Sequence, residues 1–293
     1  QNGGDVLRAA DLAMYRAKDA GKARFARYSA ELQARAEQRL QLESALALAL
    51  ERDEFEIHYQ PVCHLEHGQA RVSGVEALLR WRQDDQLIAP QEFIPTLEES
   101  GLIVAVGDWV LAQACRQTQR WQSLQPGLSC AVNLASRQLS EARFAQRVAR
   151  ILKQTGLPPA LLTLEITESQ LMQDSAQTLA CLRELASLGV RLALDDFGTG
   201  YSSLSYLQRY PIDILKIDAQ FTRGIAGDPD NQVLMAAFLS IARQFDMICV
   251  AQGVEQAAEA EWLAALGVDC LQGYYFAAPS VLPGWEVATK AAI

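Results

Sequence analysis

Histidine is scarce in this sequence and closely spaced cysteine pairs are missing, which limits the kinds of catalytic and metal site that it can form. Only three histidines occur in 293 residues, namely His58, His64 and His67, and all lie in one short stretch. The six cysteines lie far apart, with no Cys-x-x-Cys pair and no cysteine–histidine cluster at zinc spacing. These patterns argue against histidine-led catalysis and against a zinc site. They predict buried free thiols in a reducing cytosol.

Long apolar runs and an excess of basic residues are also missing. No run of about 18 apolar residues is present, so the sequence predicts no membrane span, and no signal peptide opens it. The 26 basic and 35 acidic residues give a net charge of −9, which disfavours binding to nucleic-acid polymers. A small phosphate ligand remains compatible with this charge, because divalent cations held by carboxylates can supply local positive charge.

From residue 55 onward, short apolar runs alternate with longer helical patterns. The runs predict eight strands, at Phe55–Gln60, Val72–Arg80, Ala131–Leu134, Leu162–Thr167, Arg191–Asp196, Ile214–Asp218, Ile248–Ala251 and Cys270–Tyr274. The stretches between them predict helices at Gly107–Leu124, Glu141–Gln154, Ser175–Leu188, Asn231–Phe245 and Gln256–Leu266. This alternation is typical of parallel βα units in an α/β fold.

Eight such units in about 250 residues favour a TIM-type (β/α)8 barrel. An open doubly wound sheet is the alternative, and it would require a glycine-rich phosphate loop after the first strand. Pro61, Val62 and Cys63 stand there instead, so we favour the barrel. Two helical patterns precede it, from Asp11 to Gly21 and from Leu32 to about Glu51, and the second is typical of an amphipathic connector.

Polar residues recur on or just after seven consecutive predicted strands, where a barrel of this type carries its catalytic groups. They are Glu76, Asn133, Glu165 with Glu168, Asp195 with Asp196, Lys216 with Asp218, Gln252 with Glu255, and Gln272. Any one of them commonly marks a turn or a cap. Seven strands that converge on one edge would, however, gather buried carboxylates that need cations. Such oxygen-rich sets favour Mg²⁺, Mn²⁺ or Ca²⁺ over zinc.

The adjacent pair Asp195-Asp196 is informative within this set, although two acidic residues alone could belong to an ordinary loop. One carboxylate can bridge two metals while its neighbour serves the second, and metal pairs about 3.5–4 Å apart activate water for in-line phosphoryl displacement. Lys216 could then orient the water or steady charge on the phosphoryl oxygens. The segment from Asp196 to Leu204 predicts a mobile covering loop or a plain βα connection.

Several motifs occur in a fixed order between about residues 36 and 285. They are His58-Tyr59-Gln60-Pro61, Glu76-Ala77-Leu78-Leu79-Arg80-Trp81, Phe93-Ile94-Pro95, Val132-Asn133-Leu134-Ala135-Ser136, Leu164-Glu165-Ile166-Thr167-Glu168-Ser169, Asp195-Asp196-Phe197-Gly198-Thr199-Gly200, Leu215-Lys216-Ile217-Asp218 and Gln272-Gly273-Tyr274. With this set the sequence resembles the EAL domain, the family of cyclic di-GMP phosphodiesterases. The resemblance implies a TIM-type barrel that hydrolyses cyclic di-GMP to linear pGpG with two Mg²⁺ or Mn²⁺ ions, with Ca²⁺ as an inhibitor. It also implies a cytoplasmic homodimer paired through the barrels.

The resemblance implies a role for individual residues as well. Glu76, Asn133, Glu165 and Asp195 match the family's first metal site, and Asp195 and Asp196 match ligands of the second. Lys216 matches the lysine near the nucleophilic water, and Glu168 matches the glutamate that anchors the Asp-Phe-Gly loop. Gln252 and Glu255 join the catalytic set. Gln60, Arg80, Pro95, Asp213 and Gln272 match positions around the bound dinucleotide.

The N-terminal segment resembles the end of a different domain. Asp11-Leu12-Ala13-Met14-Tyr15-Arg16-Ala17-Lys18 is similar to the last helix of a GGDEF (diguanylate cyclase) domain, and the chain starts at Gln1 rather than Met. We therefore expect a fragment of a longer GGDEF–EAL protein, whose upstream part could carry a membrane anchor. The expected bounds are a GGDEF tail at 1–28, a connecting helix at 29–52, the EAL barrel at 53–285 and a C-terminal tail at 286–293.

One position departs from the family pattern. The family usually has Ala-Glu-Gly-Val-Glu after the seventh strand, whereas Ala251-Gln252-Gly253-Val254-Glu255 stands here. Glutamine keeps the size and one carbonyl acceptor but loses a negative charge and adds a donor. Natural divergence and an isosteric replacement that traps a complex both fit this change. An active phosphodiesterase is our first hypothesis, a cyclic di-GMP receptor with little turnover the second, and another metal-dependent hydrolase the third.

Overall fold

A computed structural model of the protein describes residues 30–66, 69–172, 176–200 and 205–281. The described chain divides into two units, one of residues 30–54 with 81–102 and one of residues 55–80 with 103–281. Several features of the sequence lie outside the described residues. They are the helix predicted at 11–21, the expected GGDEF tail, His67 and residues 201–204 of the segment that begins at Asp196.

The larger unit is a barrel of eight strands. In chain order the strands of the described residues are β1 (Phe55–Glu66), β2 (Gln69–Gln83), β3 (Gln86–Ile88), β4 (Ser129–Asn133), β5 (Leu162–Thr167), β6 (Arg191–Phe197), β7 (Ile214–Ile217), β8 (Ile248–Ala251) and β9 (Cys270–Leu271). The sheet runs β1-β9-β8-β7-β6-β5-β4-β2, and a further pairing of β1 with β2 closes it. The predicted eight-stranded TIM-type barrel is therefore confirmed, and the open doubly wound sheet is excluded.

The first strand departs from the predicted parallel repeat. β1 runs antiparallel to β9, with Cys63 opposite Leu271, whereas β2 and β4 through β9 are parallel to one another. Only residues 67 and 68 separate β1 from β2. A parallel connection needs a crossover of about a dozen residues or more, so this short link requires a reversal of direction.

Helices follow most of the parallel strands. The α-helices of the described residues are α1 (Ala30–Ala49), α2 (Pro90–Ser100), α3 (Ile103–Trp121), α4 (Ser136–Leu139), α5 (Phe144–Thr155), α6 (Glu168–Met172), α7 (Ala176–Ser187), α8 (Ser205–Arg209), α9 (Pro229–Gln244) and α10 (Ala257–Leu266). The helices predicted from residue 107 onward correspond to α3, α5, α7, α9 and α10. Within the described ranges, no helix combines the length and apolarity that a membrane crossing requires.

The smaller unit contains the predicted connecting helix, now α1, and a helix that the periodicity did not reveal, α2. Leu46 of α1 and Phe93 and Leu97 of α2 are buried. Pro90 occupies the first turn of α2, and Gly101 ends it with a left-handed φ of 85°, two signals of helix bounds that the sequence contains.

Buried apolar side chains fill the strands that carry the site. Every residue of β5 except the last is buried, and β6, β7 and β8 are buried at nearly every position. Strands covered on both faces read as continuous apolar runs, which is why their positions were predicted within a few residues. The parallel strands all end at one edge of the barrel, which we call the C-terminal rim.

Candidate active site

The C-terminal rim brings most of the predicted polar residues together. Parallel pairing puts Asn133 at the end of β4 beside Glu165 of β5, and Thr167 of β5 beside Asp195 of β6. Glu76 of β2 pairs with Ala131, two residues before Asn133. The strand registers therefore place one polar side chain after another around the mouth of the barrel.

Lys216 lies at the centre of three carboxylates. Its Nζ is 2.5 Å from Glu165 Oε1, 3.0 Å from Glu76 Oε2 and 3.5 Å from Asp195 Oδ1. Its side chain is 3% exposed, and the three acidic side chains are between 2% and 9% exposed. Water therefore screens these contacts poorly, and each group strongly affects the charge state of its neighbours.

The pKa shifts in this cluster follow from burial and from the opposed charges. Burial would lower the pKa of Lys216, but Asp195, Glu165 and Glu76 raise it well above its usual value. Burial and the charge of Glu76 raise the pKa of Glu165 well above its usual value. Burial also opposes the charge of Glu76, yet Lys216 together with hydrogen bonds from Gln272, Lys216 and Asn133 lowers its pKa to about 2. One ammonium thus stabilises Glu76 and leaves Glu165 short of positive charge.

A β-bulge turns the acidic pair of β6 toward the site. The register between β6 and β7 shifts between Leu194 and Phe197, so that Asp195 and Asp196 together oppose a single residue, Lys216. Asp196 adopts a left-handed φ of 55°, which aspartate tolerates better than most side chains. Burial first, and then the charges of Asp195 and Asp218, raise the pKa of Asp196 to about 6. The bulge therefore brings two consecutive carboxylates close together.

Three side-chain amides hydrogen-bond the carboxylates of the cluster. Asn133 Nδ2 donates to Glu76 Oε1 over 2.7 Å, and Gln272 Nε2 donates to Glu76 Oε2 over 2.8 Å. Gln252 Nε2 donates to Asp195 Oδ1 over 3.0 Å. Gln272 Nε2 also donates to Gln60 Oε1 over 3.3 Å, which links β1 to the residue that follows β9.

The donor chemistry of the cluster fits a divalent cation. Glu76, Glu165 and Asp195 carry three negative charges against one on Lys216, and buried Glu165 Oε2 has no hydrogen-bond partner among the described residues. A cation would supply the missing charge to oxygen ligands of the kind that Mg²⁺ and Mn²⁺ prefer. As the side chains stand, no group of three or more His, Cys, Asp or Glu in the described ranges is arranged to hold a metal. The acidic side chains gather on Lys216 instead.

Glu168 contacts the first part of the loop that begins at Asp196. The side chain is 2% exposed, and its Oε2 accepts a long hydrogen bond of 3.4 Å from the Gly198 amide. A Cβ atom at Gly200 would lie 3.1 Å from Glu168 Cδ, so the loop backbone passes directly over the carboxylate. The role of Glu168 as the anchor of this loop stays a prediction.

A cavity of about 270 Å³ opens beside the cluster. It is lined by Gln60, Glu76, Leu78, Arg223, Gln252, Gly253, Glu255, Gln272, Gly273 and Tyr274. Arg80 is electrostatically coupled to Tyr274 and Glu76, and burial lowers the pKa of its guanidinium. Gln60, Gln252, Glu255 and Gln272 of the predicted set therefore share one cavity.

Of the other predicted substrate residues, one lies away from the rim and one belongs to the smaller unit. Asp213 precedes the first residue of β7, at the opposite end of the strand from the rim, and its Oδ2 accepts 2.8 Å from the Leu192 amide. Asp269 lies just before β9 and makes the corresponding contact, because its Oδ2 accepts from the Cys249 amide of β8. Each aspartate thus binds a backbone amide near the start of the neighbouring strand. We therefore correct the assignment of Asp213 to the ligand. Pro95 lies inside α2 in the other unit, and its role stays a prediction.

Three residues near the cavity were missed by the sequence analysis. Thr222 is fully buried, and its hydroxyl donates to the Gln252 carbonyl oxygen. Arg223 Nη2 lies 3.2 Å from Glu255 Oε1. Glu259 is 2% exposed and accepts three backbone hydrogen bonds. Only Glu259 left a signal, since it lies three residues after the helix N-cap Gln256, as in a capping box.

Comparison with known proteins gives concordant matches. Residues 43–279 match the EAL domain family. The bifunctional diguanylate cyclase/cyclic di-GMP phosphodiesterase MucR of Pseudomonas aeruginosa is 41% identical over 272 residues, which are 92% of this chain and 39% of that protein. The cyclic di-GMP phosphodiesterase PdeR of Escherichia coli is 38% identical over 96% of this chain and 42% of its own length. The chain thus spans about two fifths of these relatives.

A solved structure described as the PaMucR phosphodiesterase in a c-di-GMP complex superposes with a TM-score of 0.78 at 40% identity. The match covers 84% of this chain and 99% of the solved one. The similarity therefore extends over the whole of that phosphodiesterase structure.

Proposed function

Because this chain belongs to the EAL family, we propose that it hydrolyses cyclic di-GMP to linear pGpG. The observation that carries the proposal is the buried cluster of Glu76, Glu165 and Asp195 around Lys216 at the C-terminal rim. It lies beside a cavity, and it has more negative charge than its single cation balances. The similarity to relatives named as cyclic di-GMP phosphodiesterases supports the choice of substrate.

EAL phosphodiesterases depend on metal ions, and the rim has residues suited to hold them. We assign Glu76, Asn133, Glu165 and Asp195 to a first Mg²⁺ or Mn²⁺ site, and Asp195 with Asp196 to a second. The bulge at Asp195 and Asp196 supports this sharing, because it aims two consecutive carboxylates at one place. Held by these residues, two such ions would supply an activated water and charge compensation for the phosphoryl oxygens. Ca²⁺, which takes more ligands at longer distances, is expected to support binding rather than turnover.

The chain's own residues orient the substrate and hold charge. The buried ammonium of Lys216 is fixed by three carboxylates, so it can steady a water molecule or a phosphoryl oxygen without reorganisation. Gln60, Arg80 and Gln272 supply amide and guanidinium donors that suit phosphate and guanine acceptors. Glu168 anchors the loop that follows Asp196, and Glu255 with Arg223 bounds the cavity. The oxygen of water adds to phosphorus as one phosphorus–oxygen bond to a ribose breaks. The proton that the water loses ends on the departing ribose oxygen, and the ring opens to the linear dinucleotide.

A second function, a cyclic di-GMP receptor with little turnover, is favoured by one contact. The Gln252 amide donates to Asp195 Oδ1 and so occupies a lone pair of this oxygen that a metal would otherwise use. If this bond persists, the cavity keeps its donors for the ligand while the second metal is held weakly. Ligand binding would then survive the loss of hydrolysis.

Pairing of two barrels and a cytoplasmic location complete the proposal. The helix α9 has large apolar side chains on its surface, with Val233 71% and Leu234 41% exposed, and a second copy of this chain would cover them. All six cysteines are free, as predicted, although Cys181 is only partly buried, and free thiols suit a reducing compartment. We also keep the expected domain bounds as part of this proposal. Sedimentation of the protein over a concentration series tests the pairing.

Hydrolysis of cyclic di-GMP with Mg²⁺ or Mn²⁺, followed by chromatography for pGpG, tests the function. Steady product formation establishes the enzyme, and tight binding in Ca²⁺ without product in Mg²⁺ or Mn²⁺ establishes the receptor. Glu76→Ala should abolish hydrolysis by removing a metal ligand, and Glu76→Gln, which keeps the volume, should do the same. Exposed Glu141→Ala is the control. Near-normal turnover in both Glu76 variants would contradict the assignment, and absence of both binding and hydrolysis would overturn the proposal.

A further inference from the structure

Glu259, on the first turn of α10, is a buried carboxylate that the proposed reaction does not use. Its Oε1 accepts 2.7 Å from the Gly224 amide, and its Oε2 accepts 2.8 Å from the Glu255 amide and 3.0 Å from the Gln256 amide. Hydrogen bonds to an ionised acceptor are roughly twice as strong as neutral ones. Three such bonds satisfy a charge that is 2% exposed and would otherwise be costly to bury.

These bonds join two different loops of the rim. Gly224 follows β7, the strand of Lys216, whereas Glu255 and Gln256 follow β8. A helix cap alone would need only the bonds to the β8 loop. The additional bond to Gly224 means that Glu259 also fixes the distance between the two loops.

The bridged loops form one wall of the cavity. Arg223 comes from the β7 loop, and Gln252, Gly253 and Glu255 come from the β8 loop. Arg223 and Glu255 pair across the wall at 3.2 Å, next to the amides that Glu259 holds. A shift of either loop would therefore move side chains that face the ligand.

The wall has little room to adjust by itself. Gly253 has a φ of 71°, and a Cβ atom there would lie 2.4 Å from Ala219 Cβ, so the two loops are in direct backbone contact. The Thr222 hydroxyl donates to the Gln252 carbonyl oxygen from the β7 side. The Arg223–Glu255 pair is exposed to solvent, so Glu259 provides the buried charged contact between the loops, with three amides on one carboxylate.

We propose that Glu259 is a positioning residue for substrate, because its carboxylate binds the Gly224, Glu255 and Gln256 amides and so fixes the wall that Gln252 and Glu255 present to the ligand. This inference rests on the proposed function. Glu259 lines no part of the cavity and acts only through the two loops.

The test compares Glu259→Ala, Glu259→Gln and Glu261→Ala in this chain. Glu261 is exposed on the same helix and serves as the matched control. Glu259→Ala should raise KM, and the Kd for cyclic di-GMP in Ca²⁺, by on the order of tenfold, since misplacement of positioning groups by about 1 Å has effects of up to a hundredfold. Glu259→Gln should recover only part of the affinity, because its single amide oxygen can accept from one loop while its NH2 group faces the amides of the other. Amide hydrogen exchange should accelerate at Gly224 and Glu255 in the alanine variant.

Each outcome separates the possible causes. A variant that is only less stable would contain fewer active molecules, which lowers kcat at an unchanged KM. An unchanged KM and Kd in Glu259→Ala, or equal defects in the alanine and glutamine variants, would overturn the positioning role. If the unaltered protein neither binds nor hydrolyses cyclic di-GMP, the proposed function fails first, and faster exchange at Gly224 would still report the bridge between the loops.

Discussion

Gln252 directly follows β8, and its side-chain amide donates a hydrogen bond of 3.0 Å to Asp195 Oδ1 of β6. A glutamate at this position would place a second carboxylate against Asp195, and a cation between them would relieve their repulsion. With glutamine, the amide supplies a donor in place of that cation. This contact gives the departure from the family motif a physical meaning.

A carboxylate at position 252 should therefore change metal affinity and turnover together. We expect Gln252→Glu to raise turnover and tighten Mn²⁺ binding by on the order of tenfold, because a ligand charge is added and a competing donor is removed. Calorimetric titration of the metal and the rate of pGpG release measure the two effects. Gln146→Glu, with the same charge change on an exposed residue of α5, is the control. Flat turnover in Gln252→Glu would show that another position limits this protein.

Removal of the Lys216 ammonium group should destabilise the protein when no metal is bound. We expect Lys216→Met to lower the free energy of unfolding by about 3 kcal/mol without metal, because it leaves buried carboxylates without their ammonium partner. Mn²⁺ should restore part of the stability by taking over the charge compensation, while hydrolysis stays impaired. Thermal unfolding with EDTA and with Mn²⁺ measures both effects. A variant as stable as the parent in EDTA would contradict the electrostatic account of the cluster.

The raised pKa of Asp196 makes stability depend on pH. Burial and the charges of Asp195 and Asp218 raise this pKa from 3.8 to about 6, so the folded state favours the protonated acid. Its stabilising contribution is complete below pH 3.8 and is lost as the pH rises toward 6. Asp196→Asn stays neutral and also suits the left-handed φ, so in EDTA at pH 7.5 it should be more stable by about 1 kcal/mol, discounted for partial exposure.

Unfolding in denaturant at pH 7.5 and at pH 4 tests this prediction, since the advantage of Asp196→Asn should shrink at the lower pH. Added Mn²⁺ should stabilise the parent more than the variant, because only the parent keeps the carboxylate. Lower stability of the variant at pH 7.5 in EDTA would be inconsistent with a raised pKa.

Asp213 should matter for folding and not for the ligand. Asp213→Ala leaves the buried Leu192 amide without its acceptor, for which we expect a loss of about 1–2 kcal/mol in unfolding free energy. KM per folded molecule should stay unchanged, because the contact is at the strand entry and not at the rim. Asp269→Ala, which removes the corresponding contact to Cys249, should behave alike. An increase in KM confined to the Asp213 variant would return this residue to the ligand site.

Much of the fold could be predicted from local patterns. The strands β5 and β8 begin and end where the apolar runs do, because strands buried on both faces must be apolar throughout. The resemblance implied that Asp213 binds the ligand. The predicted strand at Ile214–Asp218, however, already put this residue at the start of β7 and not at the rim. Here the strand bounds were the better guide.

The sequence by itself determined the order of strands and helices and the polar residues that follow the strands, because periodicity and burial are local properties of the chain. Only the tertiary structure decided that β1 is antiparallel, that a bulge turns Asp195 and Asp196 to one place, and that three carboxylates share Lys216. It alone showed that Glu259 binds amides of two loops. The pairing of β1 with β9, the carboxylates around Lys216 and the bond from Gly224 to Glu259 all join residues that are far apart in the chain, which no local pattern encodes.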